Sequence, residues 1–334
     1  MRVGHPADTL RHRMTRQVFP QNVIAVIWDF DKTLIPGYMQ APLFDHYGID
    51  AAEFWAEADG LVDFYRSRGH DLVATDTLYL NWMLTYVRHG RMPGLDNRLL
   101  RELGGRLHFY EGIPEFLANL KKDVESRFAE HHIHVEHYVI SSGLRQMILG
   151  SAVAPMLDGV WGCEFAEEVP EPGYLESSSP RLFSPDTTEI REVIYTIDNT
   201  TKTRAIFEIN KGTNKNPAID VNASIPHEDR RIPFPNMVYV ADGPSDVPVF
   251  SIVKQNGGRT YAVYRPGSEA EFAQTKRLLE QGRVHAFGPA DYTEGSQTAL
   301  WITHTVEEIA ERIVADRERA LAERLGPPPG HLAD

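Results

Sequence analysis

Residues Asn22–Trp28 (NVIAVIW) form an apolar, β-branched run with the length of a buried strand, and it stops abruptly at Asp29-Phe30-Asp31-Lys32-Thr33. From Met39 to about Arg106 the period changes. Phe54, Ala58, Leu61, Val62 and Tyr65 recur at spacings of three and four, as do Tyr79, Trp82, Met83 and Tyr86, and then Leu95, Leu99 and Leu103. This block predicts three or four short helices and no strand. Ile113–Lys122 predicts a helix with Pro in its first turn, where the missing N–H costs little. His137–Ser141 predicts a second buried strand and Leu144–Ala152 the helix after it. The segment Val160–Thr200, rich in Pro, Ser and charge with a β-leaning Glu192–Ile197, reads as a hairpin excursion. Thr203–Asn210 predicts a short helix, followed by a polar, Pro-rich loop from Lys211 to Pro235. Met237–Ala241 (MVYVA) and Thr260–Tyr264 predict two further buried strands, the first ending at Asp242. A capping-box pattern at Thr305 and Glu308 predicts a tail helix starting there and running to about Leu325. The last residues, GPPPGHLAD, read as disordered.

Strand–helix alternation interrupted once by a helical block predicts an α/β fold, a Rossmann-like parallel sheet with helices on both faces. Ligands of such sheets sit at the carboxyl ends of the strands. Three strands here end in chemically loaded residues, Asp29/Asp31, Ser141 and Asp242, which this topology brings to one edge.

Composition narrows the class. The 334 residues carry 34 Lys+Arg against 47 Asp+Glu, a net charge of −13, which speaks against general nucleic-acid binding because that needs a basic footprint. The single cysteine, Cys163, excludes an intrachain disulfide framework and a multi-thiolate zinc site. No stretch approaches about 18 consecutive apolar residues, so no membrane span is expected. The N-terminal segment carries four Arg but no apolar core of a secretory signal, which makes the cytoplasm the expected compartment.

Asp29 and Asp31, two apart in extended backbone, project to the same side and repel unless a cation or shared proton intervenes. A calcium loop counted from Asp29 fails, because its sixth and twelfth positions are Leu34 and Gln40 rather than Gly and Glu. Asp242 and Asp246 form a second pair in ADGPSDVPVF, where Gly243 permits a tight turn and Pro244 sets up a helix. Four acids from two strand ends make an oxygen-rich site of the kind that suits Mg²⁺. The histidines His131, His132, His134 and His137 lack zinc-protease spacing and read as a solvated loop, and the acidic run Glu164–Glu176 reads as a solvated surface. Gly257-Gly258 reads as a turn, and no phosphate-loop or dinucleotide fingerprint is present.

With these motifs in order, the sequence resembles the haloacid dehalogenase (HAD) superfamily, in its phosphoserine-phosphatase-like branch with a helical cap. Asp29-Phe30-Asp31-Lys32-Thr33-Leu34 matches the first motif, Ser141 with Ser142-Gly143 the second, Lys202 at the head of a helix the third, and Asp242-Gly243-Pro244-Ser245-Asp246 the fourth. The resemblance covers roughly Val23 to Phe250. It implies an α/β core over 22–36 and 107–325, a small all-helical cap over 37–106 inserted after the first strand, an N-terminal extension over 1–21 and a tail over 326–334. It further implies a Mg²⁺-dependent phosphatase acting on a small phosphorylated metabolite through an aspartyl-phosphate. Asp29 would be the nucleophile and Asp31 the general acid and base. Asp29, Asp31 (through its backbone carbonyl), Asp242 and Asp246 would serve the metal. Ser141, Ser142, Gly143 and Lys202 would hold the phosphoryl group. Lys202 lies 40 residues before Asp242, so Lys211 is a rival for the third motif. Family members acting on phosphoserine carry a Glu shortly after the first motif to hold the amine. Ile35–Phe44 contains no acid, which speaks against phosphoserine. A phosphotransferase or mutase shares all four motifs. A dehalogenase characteristically lacks the second acid, and a non-catalytic relative would lose an acid or the lysine.

Overall fold

The structure is a computed structural model and describes residues 20–176 and 188–325. Apart from Pro20 and Gln21, the expected N-terminal extension lies outside the described residues, as does the expected tail 326–334. In chain order the elements are β1 (Val23–Trp28), α1 (Ala41–Tyr47), α2 (Ala51–Arg66), α3 (Leu78–Arg88), α4 (Asn97–Gly104) and α5 (Glu115–Arg127). Then come β2 (His134–Leu144), α6 (Arg145–Gly150), β3 (Leu157–Ala166), β4 (Glu192–Tyr195), α7 (Thr201–Lys211) and β5 (Met237–Ala241). The chain closes with α8 (Val247–Gln255), β6 (Arg259–Tyr264), α9 (Glu269–Glu280), β7 (Ala286–Pro289) and α10 (Gln297–Leu325).

The strands form one sheet in the order β4-β3-β2-β1-β5-β6-β7, parallel throughout except for β3–β4. This is the α/β architecture that the alternation predicts. Strand β1 lies between β2 and β5, and the chain leaves it toward both sides, so the crevice beyond its carboxyl end is the expected ligand position. Helices α5 and α10 pack on each other and over β2 and β1, while α7 and α8 pack on each other and over β2 and β5. Among the described residues no helix is long and apolar enough to cross a membrane.

Between β1 and α5 the chain forms the helices α1 to α4 and no named strand. Helix α4 meets α6 backbone to backbone. A Cβ at Gly104 would fall 2.1 Å from the Met147 carbonyl oxygen, and one at Gly150 would fall 1.9 Å from that of Arg101. Only glycine allows this approach.

Three expectations are corrected. Val160–Thr200 is not merely an excursion, because Leu157–Ala166 is the sheet strand β3, parallel to β2, and only β4 folds back antiparallel on it. The tail helix begins at Gln297, so Thr305 and Glu308 lie inside it. Its entry is capped by Ser296, whose Oγ accepts the Ala299 N–H at 3.2 Å. Glu164 is packed rather than solvated, accepting a hydrogen bond from Arg145 Nη1 at 3.0 Å and another from Gln146.

His137 also departs from the loop reading. It is fully buried in β2, where its Nδ1 accepts the Trp28 indole N–H at 3.2 Å and its Nε2 lies 3.0 Å from the Leu117 carbonyl. These partners require the neutral ring with its proton on Nε2. Burial lowers its pKa to about 4, with the Leu117 bond opposing this and Lys121 adding to it. The unfolded chain protonates His137 near pH 6.5, so stability is full above that pH and falls as pH drops toward 4. Urea titrations should show wild type losing about 2–3 kcal/mol more between pH 7 and pH 4.5 than His137→Gln does.

Candidate active site

Strand β1 delivers Asp29 to the sheet edge, where its backbone N–H donates to the Val240 carbonyl at 2.9 Å. The chain then closes a tight turn. The N–H groups of Thr33 and Leu34 both point to the Phe30 carbonyl, at 3.2 and 2.9 Å, and Lys32 takes a left-handed φ of 56°. Phe30 is buried beneath the turn, and the Tyr292 hydroxyl donates to the Thr33 carbonyl at 2.7 Å, which ties the turn to the core. Asp31 sits within it, and its Oδ1 accepts the Met39 N–H at 3.0 Å.

The opposite wall comes from β5 and α7. After Ala241 the chain passes Asp242 and Gly243 into the short turn Pro244–Asp246 that leads to α8. Asp198 starts α7 by accepting the N–H groups of Thr200 and Thr201 at 2.8 and 2.7 Å. One residue on, Lys202 is buried and its Nζ bridges two carboxylates, Asp29 Oδ1 at 3.0 Å and Asp246 Oδ1 at 2.7 Å. Asp246 also accepts the Tyr239 hydroxyl at 2.5 Å and the Ser245 hydroxyl at 2.9 Å. Carboxylate oxygens of Asp29, Asp242 and Asp246 all lie within 4.8 Å of one another, a cluster that could hold a metal ion.

The third wall is the end of β2. Ser141 is buried, and its Oγ accepts the Gly143 N–H at 3.0 Å, which leaves its own proton to donate. A Cβ at Gly143 would fall 2.3 Å from the Met39 Cε, so glycine lets β2 pass close to the segment that binds Asp31. From α3, the Tyr79 hydroxyl donates to the Ser142 carbonyl at 2.8 Å.

Burial and mutual repulsion dominate the electrostatics. Burial raises the Asp29 pKa above the carboxylate range, Lys202 opposes this, and Asp246 adds to it. Asp31 is pushed up to about 8 by burial and then by Asp29. Asp242 is raised by burial, Asp29 and Asp246. Burial works against the Lys202 charge, yet Asp246 and Asp29 hold its proton and raise its pKa overall.

The structure therefore brings together Asp29, Asp242, Asp246 and Lys202. It sets the Asp31 carboxylate outside the three-acid cluster and places Gly143, whose N–H bonds to Ser141 Oγ, against Met39, whose own N–H donates to Asp31. Lys211 is elsewhere, donating to the Val221 and Ala223 carbonyls at 2.5 and 2.8 Å. Sequence reasoning missed Tyr239, whose only signal is a phenol inside a strand that is otherwise aliphatic. It also missed Met39 and Tyr79, which reach the site from the helical block and have no local signal. Among the described residues, Thr33 Oγ1, Gln40 Oε1 and the Tyr110 hydroxyl are buried polar atoms without a hydrogen-bond partner.

The strand order, with Asp29, Ser141 and Asp242 on β1, β2 and after β5 and Lys202 on α7, makes this an α/β protein with a Rossmann-like sheet, an arrangement that resembles the HAD fold. No family model matches the chain. The chain belongs to the same family as an uncharacterized protein of Borreliella burgdorferi, 39% identical over 293 residues that cover 86% of this chain and 97% of the relative. Among solved structures it is similar to a HAD family hydrolase of Salmonella enterica serovar Typhi, with 14% identity, a TM-score of 0.44, and 80% of this chain and 67% of that one covered. It is also similar to a phospho-aspartyl intermediate analogue of phosphoserine phosphatase, with 15% identity, a TM-score of 0.43, and 80% and 93% covered. A probable phosphoserine phosphatase from Vibrio cholerae has 13% identity, a TM-score of 0.44, and 89% and 69% covered.

Proposed function

We propose that the protein is a Mg²⁺-dependent phosphatase that hydrolyses a small phosphomonoester through an aspartyl-phosphate. One observation carries this reading: a buried aspartate at a strand end, clamped by a buried lysine, shares its crevice with two further acids and lies two residues from an acid that keeps its proton near neutral pH. The three clustered carboxylates disfavour each other's charge, and hard oxygen donors of this kind fit Mg²⁺. Asp29, the Asp31 backbone carbonyl and Asp242 would hold the ion, with Asp246 in support because Lys202, Tyr239 and Ser245 already occupy its oxygens. When bound, Mg²⁺ supplies the charge neutralisation that attack of an anion on an anion requires.

In this reading an Asp29 oxygen attacks phosphorus as the ester P–O bond breaks, and Asp31 gives its proton to the leaving alcohol. Asp31, now ionised, takes a proton from the water that attacks the aspartyl-phosphate, which releases phosphate and restores both acids. Lys202 fixes the Asp29 carboxylate and offsets its charge, and the Ser141 hydroxyl donates to a phosphoryl oxygen. Ser142 and Gly143 shape the backbone beneath that oxygen. Residues 37–106 act as the cap that excludes water, joined to the phosphate side through the Tyr79–Ser142 bond.

A panel of phosphomonoesters tests this directly. Phosphate release should appear with Mg²⁺ and vanish in excess EDTA. Turnover that persists in EDTA would overturn the metal-dependent mechanism.

A further inference from the structure

Helix α10 runs on past its own packing. Its last buried side chain is Ile313, and none from Val314 to Glu323 is buried, yet the helix continues to Leu325. About three turns of helix hold poorly in water on propensity alone and owe their stability to the packing of one face. Here that face carries Val314, Glu318 and Leu321, at helical spacing, with Leu321 59% exposed. It opens on a cavity of about 670 Å³ between α10 and the link from α5 to β2, lined by Phe128, Ala129, Glu130, Glu311, Val314 and Glu318 among others. Glu311 is taken by Arg127 at 3.1 Å. Among the described residues no basic side chain pairs with Glu130 or Glu318.

The chain enters at the lip of this cavity, at the edge of the sheet opposite the crevice. The Arg317 guanidinium donates to the carbonyls of His131, a cavity residue, and of Pro20, both at 2.7 Å. Gln21 fixes the direction of entry. It takes a left-handed φ of 51°, and its side-chain amide donates to the His227 and Arg230 carbonyls at 2.7 and 3.1 Å. Whatever precedes Pro20 therefore starts beside Phe128 and α10. The sequence just upstream, LRHRMTRQVF over residues 10–19, has the chemistry the cavity wall lacks. Leu10, Met14 and Val18 recur every four positions, Phe19 adjoins Pro20, and Arg11, Arg13 and Arg16 stand between them with no acid. Ten residues reach about 15 Å even when fully helical, and Val314 to Leu321 is only about 10 Å of helix.

We propose that residues Leu10–Phe19 dock on the end of α10, setting their apolar positions on Phe128, Val314 and Leu321 and their arginines beside Glu130 and Glu318.

Hydrogen–deuterium exchange on the full chain tests this, read on peptides from residues 314–325. Peptides from α5 and β2 serve as the control that the core is folded. Amides over 314–325 should exchange at least about tenfold faster in Leu10→Asp/Met14→Asp than in wild type, with α5 and β2 unchanged. Reversing both acids, Glu130→Arg with Glu318→Arg, should speed the same amides by about threefold or more. Adding Arg13→Glu with Arg16→Glu to that chain should slow them again. Equal exchange over 314–325 in wild type and Leu10→Asp/Met14→Asp overturns the proposal. So does an acid reversal that the arginine reversal fails to relieve. Protection that disappears on dilution, with light scattering showing a dimer, overturns it too, because a second copy of the chain then covers the face.

Discussion

Asp29→Asn is expected to abolish phosphate release, by at least about 10⁴-fold in kcat, while leaving the fold intact. Asparagine keeps the shape of the side chain and an oxygen for the Lys202 bond, 3.0 Å long with aspartate, but it cannot form the covalent intermediate. The electrostatics supply a second, independent readout. Burial and Asp246 raise the Asp29 pKa, so the ionised carboxylate costs stability in the absence of a cation. A neutral amide removes that cost. In EDTA the variant should melt no lower than wild type, and the rise in Tm on adding Mg²⁺ should shrink. An active Asp29→Asn protein would remove the nucleophile assignment. A variant that melts well below wild type in EDTA would show that the carboxylate is needed for the Lys202 clamp itself.

Lys202→Ala should have the second largest effect. The ammonium is the direct partner of two buried carboxylates, at 3.0 and 2.7 Å, and its loss leaves both charges buried and unpaired. Breaking a buried pair in this way costs on the order of 3–5 kcal/mol. Activity should fall by roughly 10²–10³-fold if Asp29 is the nucleophile proposed above, because its carboxylate loses both its orientation and its charge offset. Far-ultraviolet circular dichroism with a urea titration, run with and without Mg²⁺, separates the two losses. The divalent ion should recover part of the stability but not the activity. Lys211→Ala is the matched comparison. It severs only the bonds to the Val221 and Ala223 carbonyls in the loop after α7, so its activity should stay within a few-fold of wild type. A larger effect at Lys211 than at Lys202 would reverse the assignment.

The parts of the site written in contiguous residues were legible in the sequence. Apolar runs ending at Asp29, Ser141 and Asp242 announce buried strands with polar ends, and the sheet sets those ends side by side. Strand β3 was hidden because Asp158, Gly159 and Gly162 interrupt its apolar pattern, and only pairing on both edges makes LDGVWGCEFA a strand. The four-residue β7 (AFGP) is too short and too rich in turn residues to announce itself. The α10 start was misplaced because a capping-box pattern can occur inside a helix. The buried series Ala299, Ile302, Val306 and Ile309 shows that the helical stripe already runs before Thr305. His137 was grouped with its solvated neighbours because nothing local reveals that the Trp28 indole and the Leu117 carbonyl meet its ring. Tyr239 and Tyr79 reach the site from within β5 and from α3, and distance along the chain erases such contacts from any local pattern.

The glycine contact between α4 and α6 seats the helical block on the core. Gly104 abuts the Met147 carbonyl and Gly150 that of Arg101, so the C-terminal half of α4 lies against a helix that continues directly from β2. Helices α2 and α3 pack on each other, and α3 reaches the sheet through the bond from Tyr79 to Ser142 and by packing on β4. Within the block, α4 is therefore tied through α6 to the sheet. The link between α3 and α4 is anchored as well, since Met92 and Leu95 are buried and the Ile190 N–H donates to the Leu95 carbonyl at 2.8 Å.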